Sequence, residues 1–116
     1  MNINFVIASK NPKGLSDFYG KINSDKVLKG FNSNHYFISL SNRSKIDFYL
    51  PAKDYEWTNS GNSASLCFQG KPSSQPLKSI ENWSFQLVEL GAIVESSAGI
   101  KDFGAEQWML DPEGNQ

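Results

Sequence analysis

Cysteine, histidine and arginine are almost missing from this chain of 116 residues, which contains one of each: Cys67, His35 and Arg43. A single cysteine excludes an intramolecular disulfide and any zinc or iron–sulfur site built from several thiolates. With 11 basic against 12 acidic residues and one arginine, there is no basic field that would collect phosphates. No nucleic-acid partner is therefore expected.

Long apolar runs are also missing. No stretch approaches the roughly 18 residues that a membrane span requires, and the apolar stretch Phe5 to Ala8 is too short for the hydrophobic region of a signal peptide. We therefore expect no membrane partner and a cytoplasmic location, which also suits a chain with one cysteine. The length and the 39% hydrophobic content predict one domain with one core.

The first half of the chain begins with a strand and a helix. Asn4 to Ser9 is short, apolar and β-branched, which is typical of a buried strand. Asn11-Pro12 then supplies an N-cap and a first-turn proline, and apolar residues follow at helical spacing. This pattern predicts a helix from Asn11 to about Asn23.

A hairpin is predicted next, with strands near residues 36–40 and 45–50. If Asn42-Arg43 forms a two-residue turn, Ile38 lies opposite Asp47, and the side chains divide between two faces. The more apolar face is expected to pack on the helix and the mixed face to meet a ligand. The helix side would hold His35, Phe37, Ile46 and Phe48, and the ligand side Tyr36, Ile38, Lys45, Asp47 and Tyr49.

The second half repeats this order, which indicates two similar modules. Module 1 covers about residues 1–54 and module 2 about 61–116, with a polar linker at 55–60. Module 2 is expected to contain a strand at Ala64 to Gln69, a helix from Ser74 to about Gly91, strands at Ala92 to Val94 and Glu106 to Leu110, and a tight turn at Asp111 to Asn115.

Three segments resemble the vicinal oxygen chelate superfamily, which contains glyoxalases, bleomycin resistance proteins and extradiol dioxygenases. They are the helix end Asp17-Phe18-Tyr19, the helix-to-strand passage Trp83 to Val94 and the terminal strand and turn Gly104 to Asn115. The resemblance covers nearly the whole chain. It implies a single glyoxalase-like domain of α+β class, in which two βαβββ modules form a curled, mostly antiparallel sheet with a central cup. It also implies a ligand site in that cup and a homodimer.

Enzymes of this superfamily hold a divalent metal in the cup, and the resemblance carries their ligand positions to Asn4, Asp47 and Ser65, with the last one beyond Gln116. Only Asp47 is a usual ligand, because divalent ions require several carboxylate or imidazole donors. His35 falls on the face opposite Asp47 in the predicted hairpin. We therefore expect no metal, no cofactor and no catalytic residue, and the metal-dependent activity usual in the family is disfavoured.

The expected function is metal-independent binding of a small organic molecule, aromatic or weakly cationic, as in proteins of the glyoxalase/bleomycin resistance type. Two alternatives stay open: a metal-dependent lyase, isomerase or dioxygenase, and a dimerisation or interaction scaffold without catalysis. For some of the candidate residues a structural role is the alternative to ligand binding. Asp47 could pair with Lys45 across the strands, and Cys67 could be an inert buried thiol. The predicted ligand-binding residues are Asn4, Val6, Tyr36, Ile38, Asp47, Tyr49, Ser65, Cys67 and Trp108.

Overall fold

Two helices and eight strands occur in residues 2–41, 43–57 and 65–116, which are the part of the chain that the computed structural model describes. The chain divides into unit 1, Met1–Asn59, and unit 2, Ser60–Gln116. The predicted α+β class is confirmed, since each unit combines one helix with short, mostly antiparallel strands. Within the described residues no helix has the length and apolarity needed to cross a membrane.

Unit 1 contains one four-stranded sheet with a helix on one face. Its elements are β1 (Phe5–Ala8), α1 (Pro12–Ile22), β2 (Val27–Lys29), β3 (His35–Ser39) and β4 (Lys45–Tyr49). The strand order is β1-β4-β3-β2, with β1 parallel to β4 and the other pairs antiparallel. The buried apolar side chains between α1 and the sheet are Leu15, Phe18, Tyr19, Ile38, Ile46 and Phe48.

Helix α1 begins where the sequence predicts. The Asn11 side chain accepts a hydrogen bond from Gly14 N at 3.0 Å, and Pro12 occupies the first helical position. In the first turns, Lys13 Nζ donates to Asp17 Oδ2 at 2.7 Å, and this hydrogen bond raises the pKa of Lys13 above its usual value. The Tyr19 ring stacks on Phe48 with centroids 5.5 Å apart, which anchors the helix to β4.

The register of the β3–β4 hairpin differs from the prediction by one residue. Ile38 pairs with Ile46 rather than with Asp47, and Leu40 N donates to Ser44 O at 2.8 Å. Three positions, 41–43, therefore connect the strands where two were predicted. Arg43 has a φ of 68°, in the left-handed region. A left-handed residue at this position is typical of the end of a three-residue hairpin loop. Asn42, the other residue of the predicted turn, lies outside the described residues.

This difference reverses the face on which every β3 side chain lies, because side chains alternate along a strand. Tyr36 and Ile38 share the helix side with Phe48, so the prediction that they lie beside Asp47 is wrong. His35 and Phe37 lie on the opposite side, so their predicted packing on the helix is also wrong. We call this opposite side the dyad face; its members on β3 and β4 are His35, Phe37, Ser39, Lys45, Asp47 and Tyr49.

Unit 2 contains one helix and two two-stranded sheets. Its elements are α2 (Pro76–Glu89), β5 (Ile93–Val94), β6 (Gly99–Lys101), β7 (Gly104–Glu106) and β8 (Met109–Leu110). Strand β5 pairs with β8, and β6 pairs with β7. The predicted helix end at Gly91 is confirmed: its φ is 114°, and Ala92 N donates back to Leu87 O at 3.0 Å.

Two strand predictions in unit 2 are wrong. Residues 65–69 form no strand, and Ala64, the first residue of that predicted strand, lies outside the described residues. Cys67 is consequently exposed and is not the buried thiol that a central strand would contain. The predicted strand at Glu106 to Leu110 is interrupted at Gln107 and Trp108, and its two ends belong to different sheets, since β7 pairs with β6 and β8 with β5.

The turn after β8 is organised around one carboxylate. Asp111, the first residue of that turn, is only 3% exposed. Its Oδ1 accepts from the backbone N–H groups of Glu113 at 2.8 Å and Asn115 at 3.0 Å, and its Oδ2 accepts from Asn115 Nδ2 at 2.8 Å. Gly114, with a φ of 88°, completes the turn that the sequence predicts.

We expect Asp111→Ala to lower the free energy of unfolding by about 2 kcal/mol, because it leaves two backbone N–H groups without their acceptor. Urea denaturation would measure this loss. Asp102→Ala removes an exposed carboxylate from the β6–β7 turn and should stay within about 0.5 kcal/mol of the parent. Equal effects of the two substitutions would contradict the role assigned to Asp111.

Candidate functional site

A histidine and an aspartate form a hydrogen-bonded pair on the sheet of unit 1. His35 Nε2 lies 2.8 Å from Asp47 Oδ1, and the side chains are each 12% exposed. The observed register makes this pair, since Phe37 is directly opposite Asp47 and His35 is therefore its diagonal neighbour. The prediction that His35 and Asp47 lie on opposite faces is wrong. The partner of Asp47 is therefore His35 and not Lys45. We call the pair of His35 and Asp47 the dyad.

The second ring nitrogen of His35 is also engaged. Phe31 N donates to His35 Nδ1 at 3.0 Å, so Nδ1 is an acceptor and the ring proton resides on Nε2. His35 is thus the donor to the Asp47 carboxylate. With both nitrogens used inside the protein, the imidazole offers no lone pair to a substrate proton or a metal ion. The dyad is therefore a device that orients Asp47 and not a general base.

A glycine makes room for the imidazole. Gly30 directly follows β2, and its N–H donates to His35 O at 2.7 Å. A Cβ placed on Gly30 would overlap the His35 ring. The ring of Phe31, the next residue, stacks on the imidazole with centroids 5.3 Å apart and planes 27° apart. The loop between β2 and β3 therefore holds the His35 ring through the hydrogen bond from Phe31 N, the contact with the Phe31 ring and the space left by the missing side chain of Gly30.

Aromatic and apolar groups surround Asp47 on the dyad face. Phe37 is its cross-strand partner on β3, and Lys45 Nζ lies 4.8 Å from the centre of the Phe37 ring. Val6 is the partner of Asp47 on β1 and is 65% exposed. Tyr49, two residues after Asp47 on β4, is half-buried. One carboxylate thus lies within a largely apolar and aromatic surface.

Eight of the nine predicted ligand-binding residues separate into three groups, and Asn4 stands apart because a backbone contact engages its side chain. Val6, Asp47 and Tyr49 come together on the dyad face. Tyr36 and Ile38 lie on the helix side of the same sheet, and Asn4 Oδ1 is occupied by a hydrogen bond from Lys45 N at 3.1 Å. The remaining predicted residues, Ser65, Cys67 and Trp108, belong to unit 2.

The residues carried over as metal ligands do not fit a divalent ion. Ser65 Oγ donates to Gln116 Oε1 at 3.3 Å, Asn4 Oδ1 accepts from backbone, and Asp47 accepts from His35. Among residues 2–41, 43–57 and 65–116, no three His, Cys, Asp or Glu side chains lie close enough together to hold a metal. A divalent ion needs several such donors at one point.

The sequence contained a weak signal for the residues that were not predicted. With a three-residue hairpin loop, His35 and Phe37 lie on the same face of the sheet as Lys45, Asp47 and Tyr49, whereas a two-residue loop puts them on opposite faces. The Gly30-Phe31 step, followed by three polar residues, marks a turn but does not reveal which ring packs on the glycine.

Several solved structures align with nearly the whole chain, and glyoxalase-related proteins are among them. A glyoxalase-related enzyme from Fulvimarina pelagi aligns with a TM-score of 0.68 at 17% identity, over 98% of this chain and 81% of that one. A glyoxalase/bleomycin resistance protein from Albidiferax ferrireducens T118 gives 0.65 at 18% identity, over 97% and 90%. An integron cassette protein from the mobile metagenome of V. cholerae gives 0.60 at 17% identity, over 99% and 89%.

These similarities confirm the glyoxalase-like fold expected from the resemblance. No protein-family model and no curated protein matches the sequence. At identities below 20% the structural likeness identifies the fold, and function must be argued from the residues of the site.

We expect Gly30→Ala to destabilise the protein by about 1–3 kcal/mol and to break the dyad, because the new Cβ occupies the position of the imidazole. Since His35 is the one histidine of the chain, its ring signals in NMR spectra are unambiguous. The hydrogen bonds of both ring nitrogens should be lost together.

Gly99→Ala is the matched control. A Cβ at Gly99 meets nothing within 4 Å, so this substitution should be neutral or slightly stabilising and should leave the His35 signals unchanged. An intact His35–Asp47 hydrogen bond in Gly30→Ala would disprove the close approach of Gly30 to the His35 ring.

Proposed function

We propose that this protein binds a small organic molecule on the dyad face of unit 1, with Asp47 as the polar anchor and without a metal. The observation that carries the proposal is the Asp47 carboxylate, which is 8% exposed and has one oxygen fixed by His35 Nε2. A neutral imidazole orients a carboxylate without cancelling its charge. The second oxygen thereby remains the strongest acceptor of the dyad face for a ligand N–H group.

The cost of burying Asp47 supports this role. A carboxylate removed from water requires several hydrogen bonds or an opposite charge. Among the described residues, the hydrogen bond from His35 is the one that Asp47 accepts. A ligand with N–H donors would supply the missing partner, whereas phosphates and other anions would be repelled.

The surroundings of Asp47 favour a flat, neutral or weakly cationic ligand. Phe37 and Tyr49 lie next to Asp47 on the dyad face, and Val6 exposes an apolar side chain on the adjacent strand. An apolar wall with few, convergent polar groups is the usual composition of a small-molecule site. Lys45, the nearby cation, is held over the Phe37 ring.

No observation favours the enzyme alternatives. By the resemblance, a lyase, isomerase or dioxygenase of this superfamily would hold a divalent metal, and the donor side chains in the described part of the chain do not fit one. His35 cannot serve as a general base while Phe31 N occupies its Nδ1. Binding without chemistry is therefore the function that the dyad geometry supports best.

Benzamidine, a planar cation with N–H donors, is a suitable probe. We expect Asp47→Asn to weaken its binding roughly tenfold or more, because a hydrogen bond to a charged group contributes about 1.5–3 kcal/mol. The amide introduced by this substitution still accepts from His35 but presents an NH₂ group where the second oxygen was. Titration followed by ¹⁵N–¹H NMR spectra would give the dissociation constants.

Asp54→Asn removes the same charge at an exposed position of unit 1 and should leave benzamidine binding unchanged. Benzoate, which has the same ring and the opposite charge, should bind more weakly than benzamidine. A site anchored by Asp47 would be contradicted if benzoate bound more tightly than benzamidine. It would also be contradicted if Asp47→Asn and Asp54→Asn lowered the affinity for benzamidine equally.

The homodimer implied by the resemblance is a separate proposal, and the cytoplasmic location stays a prediction. Unit 2 exposes large apolar side chains, among them Phe85 at 67% and Phe103 at 76%, which an association surface would cover. Light scattering coupled to size-exclusion chromatography should give twice the chain mass of 12.9 kDa. A monomer at all concentrations would rule out the dimer.

A further inference from the structure

Phe31 is a large apolar side chain that the fold holds in solvent. It is 94% exposed, although the loop that contains it is tightly hydrogen-bonded. Gly30 N donates to His35 O at 2.7 Å, His35 N to Asn32 O at 3.3 Å, and Asn34 N to Asn32 Oδ1 at 2.8 Å. The position of Phe31 is therefore set by the loop and is not the result of a frayed segment.

Phe31 is joined directly to the dyad. Its N–H donates to His35 Nδ1, its ring stacks on the imidazole, and the other nitrogen of that imidazole donates to Asp47. The ring centroids are 5.3 Å apart and Phe31 is 94% exposed, so the imidazole covers little of the Phe31 ring. Part of the Phe31 face on the imidazole side is thus left uncovered, at the level of the dyad.

The neighbours of Phe31 favour a small occupant. Asn32, Ser33 and Asn34 are polar and exposed, so no continuous apolar patch extends along this loop. A protein partner requires an interface of many side chains, whereas one aromatic ring suffices for a small planar molecule. The flat ligand proposed for Asp47 has that chemistry.

We propose that Phe31 is a specificity-determining residue of the site, which selects ligands with an aromatic ring attached to the N–H group that binds Asp47. The ligand class is that of aromatic amidines and amines. The ring would stack on the uncovered part of Phe31, while the N–H donors meet the open oxygen of Asp47. This inference rests on the proposed function, because it requires Asp47 to be the anchor.

Two probes separate ring recognition from charge recognition. Benzamidine and acetamidine have the same amidinium group, but only benzamidine has a ring. We expect benzamidine to bind more tightly, and Phe31→Leu to weaken its binding roughly two- to tenfold, the effect of losing one aromatic stack. The affinity for acetamidine should not change. Phe31→Leu keeps the backbone N–H that holds His35, and the His35 ring signals would verify that the dyad is intact.

Phe103→Leu is the matched control, since it alters another exposed phenylalanine, which lies in the β6–β7 turn. Phe103→Leu should change neither the affinity for benzamidine nor the affinity for acetamidine. If both probes bind equally and Phe31→Leu has no effect, ring selection by Phe31 is refuted while the anchor survives. If Asp47→Asn leaves both affinities unchanged, the proposed function itself fails. A change of oligomeric state in Phe31→Leu with unaltered probe affinities would identify Phe31 as a self-association residue and overturn the inference.

Discussion

The length of the loop between β3 and β4 determines what unit 1 presents on each side of its sheet. Three connecting positions, with Arg43 in the left-handed region, pair Ile38 with Ile46 and place both against α1. The same pairing puts His35 and Asp47 on the other face, within hydrogen-bond distance. A two-residue loop would bury a histidine in the core and separate it from its acceptor, because the side-chain period of a strand is two. Core and dyad thus depend on one register.

The dyad in turn depends on backbone groups that lie outside the sheet. Gly30 leaves the space that the imidazole fills, and Phe31 N determines which nitrogen has the proton. His35 is consequently a fixed donor toward Asp47, with neither the freedom of a base nor that of a metal ligand. The role proposed for Asp47, an anchor for a ligand with N–H donors, rests on this fixed orientation and not on the fold that the chain shares with glyoxalase-related proteins.

Unit 2 uses a comparable arrangement for a structural purpose. Asp111 is buried, but its two oxygens accept from backbone and side-chain donors of the turn that follows β8. Three internal donors reach this carboxylate, so its hydrogen bonds stabilise the turn itself. Asp47 differs because one imidazole orients it and an oxygen stays open. Two buried carboxylates of one protein therefore differ in role through the number of internal donors that each receives.

Local signals in the sequence determined the helix ends and the final turn, while the overall fold was predicted from the family resemblance. Asn11-Pro12 and Gly91 define helix ends through their own backbone preferences, and Asp111 to Asn115 folds as a turn through contacts between near neighbours. Only tertiary structure decided the hairpin register, the absence of a strand at 65–69 and the partner of Asp47. These depend on pairing between segments, and a change of one loop residue reverses a strand without altering its hydrophobic pattern. Asp47 was predicted as a site residue from the family resemblance, while its hydrogen bond with His35 and the contact of Phe31 with that histidine became visible only in three dimensions.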